Sequence, residues 1–142
     1  MKRYEFRMAK VLRVRRLQED AARAGVAVAR SAERDAETAV AASQEHYRGL
    51  AGNAAATSAT DFLGQRDRVA YRATGVRLAE GRLSTATDAT AQAVAGWRVT
   101  HQRVEALERL DERRRDDYGV ELRRFEDAAV DEIVVSRARA AS

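Results

Sequence analysis

One repeat constrains the fold of this chain more than any other feature. A line of mostly apolar residues recurs at a strict interval of seven: Phe62, Val69, Val76, Leu83, Thr90, Trp97 and Val104. A second line follows three residues later, from Ala79 to Leu107. A heptad pattern kept over this length predicts a helix whose apolar seam packs against another helix in a left-handed supercoil. The chain contains no Pro, which fits long helices because one internal Pro costs about 3 kcal/mol.

The rest of the pattern predicts two helices and one turn. We expect helix one over about residues 4–50, a turn over about 51–59 and helix two over about 60–137. Ser58 with Asp61 three residues later matches a capping box at the start of the second helix. Helices joined by a short linker lie antiparallel. The prediction is an all-α, single-domain antiparallel coiled-coil hairpin over residues 1–142, with a longer second helix and a protruding C-terminal part.

The apolar line of the first helix sets the expected register. That line runs at steps of three and four through Val14, Leu17, Ala21, Ala24, Val28, Ala32, Ala36, Val40, Ser43, Tyr47 and Leu50. It predicts the pairs Val14 with Trp97, Leu17 with Val94, Ala21 with Thr90, Val28 with Leu83 and Tyr4 with Leu107. Self-packing then ends near Leu107, and the continuing apolar line has no partner in the chain. Its members are Leu110, Tyr118, Leu122, Phe125, Ala129 and Ile133.

Composition and motifs argue against catalysis. Aromatic residues make up only 6% of the chain and much of its apolar content is Ala, so the core should be thin. The absence of Cys excludes disulfides and thiolate zinc sites. His101 and Glu105 share a helical face but lack further metal ligands, so we expect no metal and no cofactor. No phosphate loop or nucleophile motif occurs, and an enzyme is not expected.

Charge limits the partners. The net charge is +4, and acids interrupt the Arg runs, which disfavours nucleic acid. The segment up to Leu17 carries seven cations against Glu5, and it indicates either a solvated helix face or a basic patch for an acidic protein or an anionic membrane. The run Arg113 to Asp117 is either a solvated face or an Arg cluster for acidic loops. No signal peptide or spanning segment is evident, so a cytoplasmic protein is expected.

Three stretches together resemble the flagellar export protein FliJ family. They are FRMAKVLRVRRLQEDAAR (Phe6 to Arg23), QEHYRGL (Gln44 to Leu50) and the C-terminal stretch from Trp97, with LERLDERRR and Asp131-Glu132-Ile133. The resemblance implies an antiparallel two-helix rod, similar to the stalk of rotary ATPases, that acts without catalysis in flagellar type III protein export. It implies binding to the ring of the export ATPase (FliI), to the membrane export gate (FlhA) and to export chaperones. The chain would then be cytoplasmic, peripheral at the membrane through its partners.

The resemblance and the residue pattern also indicate where these partners bind. The expected gate-binding face comprises Val40, Ser43, Tyr47, Val69, Ala73 and Val76. The expected ATPase-ring residues are Arg13, Arg15, Arg16, Arg113, Arg114, Tyr118, Leu122 and Phe125. A different class of function stays open, namely a structural coiled coil that homodimerises through its C-terminal helix.

Overall fold

The computed structural model describes residues 3–52 and 57–140, and they form two helices. Helix α1 spans Ala9–Ala51 and helix α2 spans Ala59–Ala140. Because the described residues contain no strand and the two helices pack against each other, the predicted all-α helical hairpin is confirmed. Helix α1 begins at Ala9 and not near residue 4. Neither helix contains, within the described residues, a stretch apolar and long enough to cross a membrane.

Ser58 caps the start of α2, as the sequence predicts. Its hydroxyl accepts a hydrogen bond from the backbone N–H of Asp61 at 3.1 Å, while the hydroxyl of Thr57 donates to Asp61 Oδ2 at 2.9 Å. Hydrogen bonding with Ser58, and then with Thr57, lowers the pKa of the Asp61 carboxyl. A carboxylate in the first turn of a helix also complements the helix dipole. The cap therefore fixes where α2 begins.

The described residues fall into two compact units. The terminal unit comprises the chain up to Glu19 together with the chain from Thr100 onward, and the central unit runs from Asp20 to Val99. In the terminal unit, early residues of α1 meet late residues of α2 in antiparallel order. In the central unit, α1 and α2 are the two arms on either side of the turn. The assignment of the whole chain to one domain stays a prediction.

The core is as thin as the composition predicts. The buried side chains are Leu12, Glu19, Val26, Ala79 and Val104, and one of these five is an acid. The heptad line of α2 is half-buried or buried from Val69 to Val104, which confirms the predicted seam there. Its first member, Phe62, is 60% exposed, so the seam begins one heptad later than the sequence pattern does.

The predicted register is wrong, and so is the first half of the seam predicted for α1. Val14, Leu17 and Val28 are 52%, 63% and 71% exposed, respectively, so they lie outside the helix contact. Glu19 meets His101, and Thr87 donates a hydrogen bond to Glu33. In both pairs the α2 residue lies nine positions later in the chain than the predicted register places it. Tyr4 meets Asp111 in place of Leu107. Nine residues correspond to about two and a half helical turns.

The physical reason for the different register is a polar seam position. The true line of α1 passes through Glu19, which a sequence pattern excludes because acids are rarely buried unless they are paired. His101 supplies that pair. From Ala36 onward the predicted seam residues of α1 are half-buried, in agreement with the prediction.

Candidate partner-binding surfaces

The first described residues form a strap across α2 in the terminal unit. We call residues 3–8 the N-terminal strap. The hydroxyl of Tyr4 donates to Asp111, whose Oδ1 lies 2.7 Å away and whose carbonyl oxygen lies 3.1 Å away. The ring of Tyr4 lies 5.7 Å from that of Tyr118, centroid to centroid, and the Arg115 guanidinium sits 5.9 Å from the Tyr4 ring centroid. Partial burial, followed by the hydrogen bond to Asp111, raises the pKa of Tyr4.

Because of the strap, internal packing extends further along α2 than the sequence predicts. The sequence predicts that α2 lacks an internal partner from Leu110 onward, and this prediction is wrong as far as Tyr118 but agrees with the exposure of Phe125 and the residues after it. Leu110 and Tyr118 are half-buried, because the strap covers this part of α2. The described side chains become uniformly exposed only after Leu122. Sequence reasoning missed the strap because Tyr4 and Asp111 are 107 positions apart and follow no shared periodicity.

A cavity of about 640 Å³ lies between the strap and α2. Aromatic and aliphatic side chains form much of its lining, and both signs of charge are present at its edges. The residues that line it are Tyr4, Glu5, Phe6, Arg7, Met8, Leu110, Arg114, Asp117, Tyr118 and Glu121. A cavity of this size and lining can accept part of another molecule.

A polar pair lies in the seam of the terminal unit. Glu19 is only 8% exposed, and its Oε1 lies 2.9 Å from His101 Nδ1. A carboxylate only accepts hydrogen bonds, so this contact assigns the proton to Nδ1 of the imidazole. His101 is therefore engaged with Glu19. Within the described part of the chain, no three His, Cys, Asp or Glu residues cluster in a way that could hold a metal ion.

The residues predicted to bind an ATPase ring all belong to the terminal unit, but their surroundings differ. Arg16 forms an ion pair with Glu108 at 2.8 Å, and Arg15 donates to Gln18 at 2.9 Å. Tyr118 packs on the strap and Leu122 is half-buried, whereas Phe125 is 59% exposed. Arg114 lines the cavity, and Arg13 and Arg113 are exposed. Some of the predicted ring-binding residues therefore make contacts within the chain, and the others are exposed.

The end of α2 presents a run of exposed apolar side chains in the terminal unit. Every side chain from 123 to 137 is exposed, and we call this range the C-terminal segment. Its large apolar residues are Phe125 (59% exposed), Val130 (58%), Ile133 (52%), Val134 (59%) and Val135 (48%). Exposed apolar side chains in such density indicate a surface that binds another molecule.

The six residues predicted to face the export gate lie in the seam of the central unit. Each of them is half-buried, so the set is not an open face. Sequence reasoning missed the open apolar residues beside it. Tyr71 and Leu78 are 76% and 61% exposed, and Tyr71 and Arg72 line both of two shallow depressions of about 190 and 380 Å³. Tyr71 and Leu78 lie seven residues apart, each two positions after a seam residue, Val69 or Val76. This spacing is a sequence signal that could have indicated a second apolar line beside the seam.

One comparison with known proteins identifies the chain. The profile of the family described as Flagellar FliJ protein matches residues 4–142. No curated protein and no solved structure matches the chain significantly. The family match covers both units and includes the strap from Tyr4 onward. The chain therefore belongs to the FliJ family and is a component of flagellar protein export.

Proposed function

We propose that this protein is a non-catalytic coupling component that binds the flagellar export ATPase (FliI) through its terminal unit. The observation that supports this proposal most directly is the C-terminal segment, in which Phe125, Ile133 and Val134 are each at least half exposed. A helix that presents apolar side chains at helical spacing can lie in the groove or ring interior of a partner. Membership of the FliJ family makes the export ATPase the partner of choice.

The charges near the C-terminal segment suit a lining that carries acidic loops. Arg13 and Arg113 are exposed and Arg114 edges the cavity, so all three are available to carboxylates in the proposed ring. Arg pairs with carboxylates in two-pronged geometry, which adds orientation to attraction. Arg15 and Arg16 act differently in this proposal, because Arg15 donates to Gln18 within α1 and Arg16 pairs with Glu108 of α2.

We further propose that the central unit contacts the export gate (FlhA). The predicted residues Val40, Ser43, Tyr47, Val69, Ala73 and Val76 form the floor of this contact. Tyr71 and Leu78 supply the exposed side chains that a partner reaches first. Export chaperones are proposed to bind in transit, and the protein is proposed to be cytoplasmic and held at the membrane by these partners.

A crossed pair of substitutions tests both contacts in the full-length chain. Phe125→Asp and Leu78→Asp each place a charge on a side chain of nearly equal exposure, 59% and 61%. We expect Phe125→Asp to abolish stimulation of the cognate ATPase and to leave binding to the gate protein intact. Leu78→Asp should do the reverse. Each variant is the matched control of the other, and circular dichroism should show that both stay helical.

Two outcomes contradict the proposal. If Phe125→Asp stimulates the ATPase as well as the wild-type protein does, the C-terminal segment is not the ring-binding element. If both substitutions weaken both interactions equally, the two surfaces do not have separate partners. Deletion of residues 123–142 is the stronger companion test, because it leaves Tyr4 and Tyr118 in contact.

The same exposed residues support a second candidate function. A structural coiled coil that dimerises through the C-terminal segment would bury Phe125 and Ile133 against a second copy. Sedimentation of the wild-type protein and of Phe125→Asp at micromolar concentration separates the two functions. A stable dimer that Phe125→Asp dissociates favours the structural role, whereas a monomer that stimulates the ATPase favours the export role.

A further inference from the structure

The outer side of α1 in the terminal unit carries exposed apolar residues. Val11, Val14 and Leu17 are 42%, 52% and 63% exposed. They lie on the helix at steps of three, so they form one neighbouring group and not scattered single residues. The seam of this unit runs instead through Leu12 and Glu19, and the outer group is left uncovered.

Unpaired cations surround this apolar group. Lys10 and Arg13 are exposed, and neither makes an ion pair or hydrogen bond within the part of the chain that the structure describes. No acid occurs from Phe6 to Gln18. Of the two acids that follow, Glu19 is buried and bound to His101, and Asp20 is exposed three residues beyond Leu17, at the far end of this surface. From Lys10 to Leu17 the surface is therefore apolar and positive at once.

The cations and the apolar side chains share a face and do not segregate. Lys10 is four residues before Val14, and Arg13 is four residues before Leu17, so each cation stands next to an apolar neighbour. A helix that binds a protein groove needs a charge-free stripe, because charges buried in the groove lose hydration. A lipid interface tolerates the mixture, since Lys and Arg lay their alkyl stems on the apolar region and keep their charges among the phosphates.

We propose that this face of α1, comprising Lys10, Val11, Arg13, Val14 and Leu17, rests directly on an anionic lipid surface. The ligand is the phosphate headgroup layer of acidic phospholipids, with the three apolar side chains inserted just below it. The proposal goes beyond attachment through partner proteins, because it gives the chain its own membrane contact. Arg13 is shared with the proposed ring surface, so the two contacts exclude each other at that residue.

Binding to vesicles tests the proposal with the full-length chain. We expect the protein to float with vesicles of phosphatidylglycerol and phosphatidylcholine and to stay behind with phosphatidylcholine alone. Each cation near such a surface raises the partition coefficient by about fivefold. Lys10→Glu with Arg13→Glu should therefore lower binding by more than about 25-fold. The control is Arg30→Glu with Arg82→Glu, which makes the same change in net charge at exposed positions of the central unit and should have a much smaller effect.

A second variant separates insertion from a diffuse attraction of charges. Val14→Gln with Leu17→Gln keeps every charge and alters only exposed side chains, so the fold should be retained. We expect this variant to bind anionic vesicles at least tenfold more weakly, because about two buried side chains' worth of apolar area is lost. Unchanged binding by this variant overturns the proposal.

Two further results also overturn it: equal binding to anionic and neutral vesicles, and an equal loss in the Arg30→Glu with Arg82→Glu control. If an acidic protein is the true occupant of this face, vesicles should bind through charge alone, and Val14→Gln with Leu17→Gln should leave that binding unchanged. The ATPase assay of Phe125→Asp is independent of all three measurements, so failure here leaves the export proposal to its own test.

Discussion

The terminal and central units contain the same two helices but hold them together by different means. In the terminal unit, specific polar contacts join distant residues: Tyr4 with Asp111, Arg16 with Glu108 and Glu19 with His101. In the central unit, the buried residues are Val26 and Ala79, and the interhelical hydrogen bond from Thr87 to Glu33 is exposed. The first arrangement depends on particular partners, whereas the second depends on small side chains that fit almost any helix.

This difference indicates which unit determines the register between α1 and α2. An Ala-rich seam gains little from one alignment over another, because each Ala buries little area. A buried Glu, in contrast, is tolerated only where a partner such as His101 meets it. We infer that the terminal unit selects the register. The central unit accepts that register and leaves Tyr71 and Leu78 free for other uses.

The largest expected change in the free energy of unfolding comes from truncating a buried apolar side chain in each unit. Leu12 and Val26 are 7% and 8% exposed. Leu12→Ala should lower the free energy of unfolding by about 3 kcal/mol, and Val26→Ala by about 1–2 kcal/mol, because fewer carbon atoms are removed. Urea unfolding followed by circular dichroism measures both. Leu78→Ala, at an exposed position, is the control and should change stability by less than about 0.5 kcal/mol. A larger cost for Val26→Ala than for Leu12→Ala breaks the comparison.

The next effect tests the polar pair. His101→Ala leaves the Glu19 carboxylate buried without this donor and should cost about 2 kcal/mol. Glu19→Leu should be neutral or stabilising, because an apolar side chain suits the seam better than a charge. If the pair specifies the register, however, Glu19→Leu should give more than one helix alignment. Spin labels on residues 30 and 90 would then report two distances, and a single unchanged distance contradicts that role.

A smaller effect is expected at the cap of α2 in the central unit. Ser58→Ala should cost about 1 kcal/mol, because it removes the acceptor for the Asp61 N–H. Because the pKa of Asp61 is lowered, its carboxylate stabilises the fold at pH values above its ordinary pKa of 3.8. This contribution is lost as the pH falls through the lowered pKa. Ser58→Ala should shift the Asp61 titration upward in carboxyl NMR spectra. An unshifted titration would mean that Thr57 alone holds the carboxylate.

The smallest effect concerns the strap. Because the pKa of Tyr4 is raised, the contact with Asp111 should be fully present below the ordinary value of 10.0 and lost as the pH rises through the raised pKa. Tyr4→Phe keeps the ring contact with Tyr118 and removes the titrating group. In the wild-type protein, the NMR signals of the Tyr118 ring should therefore change at alkaline pH. The same change in Tyr4→Phe would show that another group is responsible.

The sequence predicted the features that repeat and missed those that do not. The α2 seam follows from Val69, Val76, Leu83 and their successors, because each position shares one periodicity. The predicted α1 line passes through Val14 and Val28, whereas the observed one passes through Leu12 and Val26 at a similar spacing. The observed line includes Glu19, an acid that apolar periodicity does not place in a seam. Only the position of His101 in space shows that this acid is paired there.

The candidate surfaces divide in the same way. The C-terminal segment could be predicted, since Phe125 and Ile133 extend the apolar line past the end of the hairpin. The strap could not, because Tyr4 contacts Asp111 and Tyr118 through tertiary structure alone. The predicted gate residues, which the family resemblance indicates, lie in the seam and are half-buried. Tyr71 and Leu78 also lie seven residues apart, but they belong neither to the seam nor to the face that the resemblance implies.

The full exposure of residues 123–137 also has a kinetic consequence. A helical stretch of this length without tertiary support is marginal in water, so its ends exchange between helix and coil. That exchange is complete within about 1 μs, far faster than two proteins meet at cellular concentrations. A partner therefore always encounters an equilibrated segment and never waits for it to fold. Ordering the segment on binding lowers the net affinity and therefore favours release of whichever partner the segment binds.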